Sequence, residues 1–127
     1  MRRVRKDGGQ ATVELALVLP FVCLLVLAVV QVGLVVHAHL LVVHGAREGA
    51  RAAAVDPHPL AAQVAVVAGV PLDPDDLDVE VSPAGERVEV RVGYRFRTDV
   101  PLIGALIGDV ELSSRAVMRR EFSTAEP

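Results

Sequence analysis

Charge is what the first half of this sequence lacks: between Glu14 and Arg47 there is no Asp, Glu, Lys or Arg. A stretch that long without a charged face is a poor surface helix and a good membrane segment. Aromatic residues are few and Trp is absent, so the apolar content is Val, Leu and Ala, concentrated before residue 56. That asymmetry points to a membrane segment joined to a soluble part. Cysteine is nearly missing too. Cys23 is alone and sits inside the apolar run, which excludes an intramolecular disulfide and a cysteine-based zinc site. No small residue stands in the usual place before it for lipidation, and it reads as a buried small hydrophobe. With 127 residues, one small domain remains after the membrane segment is subtracted, which excludes a large enzyme.

The residue patterns of catalysis are also missing. There is no Gly-rich phosphate loop, no nucleophile elbow and no Cys/His pair. His37 and His39 diverge by about 200° on a helix, and His37 and His44 share a face only two turns apart, which is poor ligand spacing. Asp73, Asp75, Asp76 and Asp78 cluster, but without the glycine and terminal glutamate of a calcium loop, so they read as a solvated acidic loop. Basic residues in the second half alternate with acids instead of forming a stripe, so no nucleic-acid contact is expected. No enzyme activity, cofactor or metal is expected.

What is present begins with a basic leader. Arg2, Arg3, Arg5 and Lys6, offset only by Asp7, run into Gly8-Gly9 and then Gln10-Ala11-Thr12-Val13-Glu14. From Leu15 to Val36 the chain is almost wholly apolar, interrupted by Pro20, Gln31 and Gly33. This exceeds a signal-peptide core and meets the ~20 residues of a spanning helix. The basic flank predicts a cytoplasmic amino terminus and a carboxy-terminal part across the membrane. Glu14 at the mouth of such a helix is costly enough to need a partner. Pro20 removes an amide donor and predicts a kink.

The helical pattern continues through His37 to Val55, with no proline until Pro57. One helix over 10–55 would be about 70 Å long, more than a bilayer requires. Its distal half needs an apolar stripe, expected at Leu40, Val43, Ala46 or Arg47, and Ala50. Gly45, Ala46, Gly49, Ala50 and Ala53 would let a neighbour approach closely, and packing against a local sheet is the favoured use.

Residues 56–127 read as a small head. Asp56-Pro57-His58-Pro59 breaks the helix, and Leu60 to Ala68 forms a short second one ended by Gly69. Period-two alternation then gives three strands, one from Leu77 to Val81, one from Val88 to Phe96 and one from Val110 to Met118, with a hairpin turn at Ser82-Pro83-Ala84-Gly85. The expected fold is α+β: a long helix, a short second helix, and a three-stranded antiparallel sheet whose apolar face the helices cover. The segment Thr98 to Gly108 is unusually apolar for a loop; core closure is favoured over a docking patch. The tail after Phe122 is expected to fray.

Two motifs together suggest a family. Gly9-Gln10-Ala11-Thr12-Val13-Glu14-Leu15-Ala16-Leu17-Val18-Leu19-Pro20, with Ala46-Arg47-Glu48-Gly49-Ala50-Arg51-Ala52-Ala53-Ala54 downstream, closely resembles the TadE-like (TadE/TadG) pseudopilins of tight-adherence, or Flp type IVb, pilus systems. Leu15 departs from the pattern, which usually has an aromatic there. The resemblance implies a leader over 1–9, cut by a membrane-embedded prepilin peptidase after Gly9 to leave Gln10 as the new amino terminus. Glu14 would then meet the terminal amine of a neighbouring subunit and set register. Losing the leader, whose Arg2, Arg3, Arg5, Lys6 and Asp7 carry +3, takes the formal charge from -3 to -6. The implied protein is a minor, pilin-like structural subunit of the inner membrane, single-pass, extracellular once in a pilus. Its implied partners are other pseudopilins, the major Flp pilin and the inner-membrane assembly platform. The rival reading is an uncleaved signal-anchored scaffold of an envelope or secretion complex; a ligand-binding or enzymatic head would require a site where His58, Asp73, Asp75 and Asp76 converge.

Overall fold

The computed structural model describes residues 7–121. The basic residues Arg2, Arg3, Arg5 and Lys6 of the leader and the tail after Phe122 lie outside the described residues. Helix α1 runs unbroken from Asp7 to Val55, passing through Pro20, and is about 73 Å long at 1.5 Å per residue. Helix α2 spans Pro59–Gly69, a 3-10 turn Pro74–Asp76, strand β1 Leu77–Ala84 and strand β2 Arg87–Phe96; a short helix α3, Ile103–Ile107, precedes strand β3, Val110–Arg119. The sheet is antiparallel in the order β1-β2-β3, with Val79 opposite Val92 and Val90 opposite Ala116. This is the α+β arrangement expected from the sequence.

The core forms where the distal half of α1 lies on β2 and β3, with α2 packed beside it and reaching β1. Val88, Val90 and Val92 of β2 are buried against Val42, Ala46, Ala50, Ala53 and Ala54 of α1 and Ala62, Val66 and Val70 from α2 and its end. The residues closing this core are Val and Ala, so its tightness comes from close approach of backbones, and each buried Val contributes about 1.5–3 kcal/mol relative to exposure. The stripe on α1 differs from the expected one. Ala46 and Ala50 are fully buried as anticipated, but Ala38 and Val42 complete the face, and Leu40 is 61% exposed. Small residues won the contact because larger ones would hold the sheet off the helix. Gly45 and Gly49 face the α2 side chains, and Gly49 also reaches the sheet: a Cβ on Gly49 would lie 2.8 Å from Val66 Cγ2 and 3.1 Å from Val90 Cγ1.

The joints follow local chemistry. Asp56 accepts from the His58 amide at 2.9 Å, turning the chain, and His58 Nδ1 accepts from the Leu60 amide at 3.3 Å as the cap of α2. Pro59 occupies the first turn of α2, where its missing N–H costs nothing, so the helix starts one residue earlier than Leu60. The hairpin turn also moves. Ala84 pairs with Arg87, leaving a two-residue turn at Gly85-Glu86, with Gly85 at φ 63°. Pro83 belongs to β1 instead, which is admissible because β1 is an edge strand. After β3 the Glu121 amide donates to the Ala54 carbonyl at 3.0 Å, satisfying an acceptor in the last turn of α1.

The apolar segment Thr98 to Gly108 does not close the core. Ile103 is buried, but Leu102, Leu106 and Ile107 of the same segment are exposed, and Ile103 stands apart from the main cluster. An excess of apolar residues in a loop identifies surface that will be covered, without saying by what.

Candidate functional site: the apolar half of the long helix

Among the described residues, α1 is exposed throughout from Gly9 to Val26, before Leu27 and Gln31 meet the head. Large apolar residues project on every side of it, among them Leu15, Leu17, Leu19, Phe21, Leu25 and Val29, all exposed. The most apolar part of the helix has none of its residues buried, and α1 is long and apolar enough to cross a membrane. Surface of this kind all round a helix is stable only in lipid or against other apolar helices. The chain is accordingly a single-pass membrane protein in outline, with Cys23 exposed on the lipid-facing surface of the helix and not buried as the sequence suggested.

The sequence-identified residues lie at the start of this half. Gly9 and Gln10 are helical and exposed, and Gln10 Nε2 donates to Glu14 Oε1 at 3.4 Å one turn on. Glu14 is exposed on the same helix. Nothing lies within 4 Å of where a Cβ on Gly9 would sit, so no close contact calls for glycine there. Glycine is a poorer helix former than alanine, and among the described residues no contact at position 9 offsets that. Pro20 lies in the exposed part of α1, where it supplies no amide to the carbonyl of Ala16.

Several polar residues of the head are engaged in structure. Asp73 accepts from the Asp75 amide at 3.0 Å and caps the 3-10 turn, while Asp76 holds Arg97 by two contacts, 2.9 Å to Nε and 3.1 Å to Nη2. The hydrogen bond and then the charge of Asp76 hold the Arg97 guanidinium above its ordinary value. Tyr94 is also pushed up, first by burial and then by the carboxylates of Asp76 and Asp73, with Arg97 opposing. His58 serves as a helix cap and His37, His39 and His44 are exposed along α1. Among the described residues no three His, Cys, Asp or Glu side chains come together at metal-holding spacing.

Sequence reasoning missed one polar contact. Gln31, noted there only as an interruption of the apolar run, is 2% exposed, and its Nε2 donates to Thr98 Oγ1 at 3.3 Å. Thr98 Oγ1 in turn donates to the Gly108 carbonyl at 2.6 Å, so one chain of bonds ties α1 to both ends of the Thr98–Gly108 segment. A lone amide in an aliphatic run was the available signal; its partner, 67 residues away, could not be read from spacing.

No curated protein and no solved structure matches the chain. A family model does: that of the TadE-like proteins matches residues 9–51, beginning at Gly9 and ending at Arg51 within the helix that packs on the sheet. Over residues 9–51, the exposed part of α1 and most of its sheet-covered part, this chain is similar to the TadE-like proteins.

Proposed function

We propose that the protein is a minor pseudopilin of a Tad/Flp pilus assembly system, a structural subunit and not an enzyme. It is inserted with its amino terminus in the cytoplasm and its head outside the inner membrane. A prepilin peptidase removes the leader after Gly9, and the mature chain, starting at Gln10, assembles through α1 with other pseudopilins, the major Flp pilin and the assembly platform.

The observation carrying this reading is the pairing of Gly9 and Glu14 on an exposed helix within the TadE-like segment. No close contact calls for glycine at 9, and a carboxylate at 14 stands beside a surface fit for lipid. Both are costs in the isolated chain. Both acquire a use if a peptidase must reach an unhindered backbone at Gly9 and a new amine must be neutralised by Glu14 of a neighbour. The energetic gain from such a buried pair is small because both ions lose water; its effect is on register.

The test is intact mass and amino-terminal sequencing of the full chain expressed with and without its cognate prepilin peptidase, alongside Gly9→Leu. A terminus at Gln10 that requires both the peptidase and Gly9 is expected. An intact terminus under all conditions refutes the processing route and leaves the signal-anchored scaffold.

A further inference from the structure

We propose that the segment from Val100 to Ile107 is a second membrane contact: a short apolar lip that rests in the acyl–headgroup boundary of the bilayer α1 crosses, fixing the head against the membrane surface. The inference rests on α1 spanning the bilayer.

The first observation is depth. A span of ~20 residues counted from Leu15 ends near Leu34, and the apolar run ends at Val36, so Gln31 lies about 5–8 Å inside the end of the span. Gln31 is bonded to Thr98, and Thr98 to Gly108, which pins both ends of the segment at that level. Val100 and Pro101 line one groove with Leu27, Val30 and Leu34 of α1, so the segment reaches alongside the spanning part of the helix itself. Interfacial apolar groups sit ~5–10 Å into the headgroup and acyl boundary, the same depth.

Composition and conformation agree. Leu102, Leu106 and Ile107 are 66%, 79% and 58% exposed, although their neighbour Ile103 is buried. Leu102 is held at φ 66°, a left-handed conformation unfavourable for leucine, yet its side chain gains no burial within the chain. Gly104 is required at the base, since a Cβ there would collide with the Thr98 carbonyl oxygen. The loop is therefore built into a fixed shape that presents its leucines outward. Lipid is the occupant favoured over a protein partner because the patch is continuous with the lipid-facing surface of α1. The polar residues on the same groove suit the headgroup layer: Asp76 and Arg97 neutralise each other, and Asp73 and Asp99 are exposed. Gln31 is explained in part: its Nε2 is engaged by Thr98, while its Oε1 is buried with no partner among the described residues. A buried amide in a spanning helix is shielded from hydrocarbon by the segment that it anchors.

The absence of tryptophan makes the test direct. Single reporters Leu106→Trp, Val64→Trp on the exposed side of α2 and Leu25→Trp within the span are placed in the full chain and reconstituted in phosphatidylcholine vesicles. Parallel samples carry bromine near the headgroup end of the acyl chains, bromine near their methyl end, or none, so that both the interface and the midplane are read. The expected result is loss of most Leu106→Trp emission in brominated vesicles, a blue-shifted spectrum and protection from aqueous acrylamide, with Val64→Trp showing the reverse. Quenching at Leu25→Trp without quenching at Leu106→Trp overturns the lip while leaving the spanning helix intact. Quenching at neither site refutes the span and with it the lip. Protection of Leu106→Trp from acrylamide without bromine quenching also overturns the proposal, in favour of a protein covering the patch.

Discussion

Replacing Gly49 with alanine tests whether the head is held to α1 by backbone proximity. The new methyl would lie 2.8 Å from Val66 Cγ2 and 3.1 Å from Val90 Cγ1, and within 3.7 Å of the Ala62 carbonyl oxygen. Val66 and Val90 are both fully buried, so neither can swing into solvent, and α1 must separate from α2 and the sheet. Overpacking of this kind costs about 1–3 kcal/mol, while better helix propensity returns about 1 kcal/mol, leaving a net loss of about 1 kcal/mol. For a head of this size that corresponds to a Tm about 4–8 °C lower. Tyr94 is the only tyrosine and there is no tryptophan, so intrinsic tyrosine fluorescence in detergent follows the head without interference from the membrane helix. Gly33→Ala, where nothing lies within 4 Å, is the matched control: it carries the propensity gain without the overpacking, so its Tm does not fall. Combining Gly49→Ala with Val66→Ala gives a loss smaller than the sum of the two, because the truncation removes the clashing methyl. An unchanged or raised Tm in Gly49→Ala, or additive losses in the double variant, refutes the close-approach account.

Two further outcomes follow from the polar contacts. Thr98→Val removes the acceptor of Gln31 and the donor to Gly108, and the stranded amide costs about 1–3 kcal/mol; amide exchange over 98–108 is expected to quicken, and unchanged exchange refutes the clasp. Tyr94 ionises above the ordinary tyrosine value of 10.0, chiefly through burial and then the Asp76 and Asp73 carboxylates. The fold therefore favours the neutral phenol, so this contribution to stability is complete below pH 10.0 and is lost as pH rises through the higher folded value. Phenolate absorbance should give a midpoint above 10.0 that falls in Asp76→Asn, since removing the carboxylate and freeing Arg97 act in one direction. A midpoint unmoved by that substitution refutes the assignment.

The long helix, the second helix and the strands were legible because each rests on a local rule, hydrophobic periodicity or a proline. Errors arose where a local rule met a tertiary one. Pro83 is turn chemistry by composition, but at a sheet edge its missing N–H is harmless and β1 runs through it. The stripe through Leu40 and Val43 followed side-chain size, whereas α2 and the sheet together pack on the face with the smallest side chains, Gly45, Ala46, Gly49 and Ala50. Gly9 and Glu14 were identified by pattern, and the structure adds that no close contact calls for glycine at 9. The clasp from Gln31 to Thr98 joins residues 67 positions apart and has no local signature at all.

Helix α1 is divided between two solvents. Up to about Leu34 its surface is large and aliphatic, suited to lipid, and from Ala38 onward one face is small and covered by valines of the head. Gln31 falls just before the boundary, the described polar side chain of the apolar run that is buried. Because the two halves are one uninterrupted helix, the head cannot shift along the membrane normal independently of the span. Any force that draws α1 out of the bilayer must move the Thr98–Gly108 segment by the same distance, and a lip resting in the interface would resist the first few ångströms of that movement. Extraction then begins against two apolar contacts, the span and the lip, and Thr98→Val, which loosens the lip while sparing the span, separates their contributions.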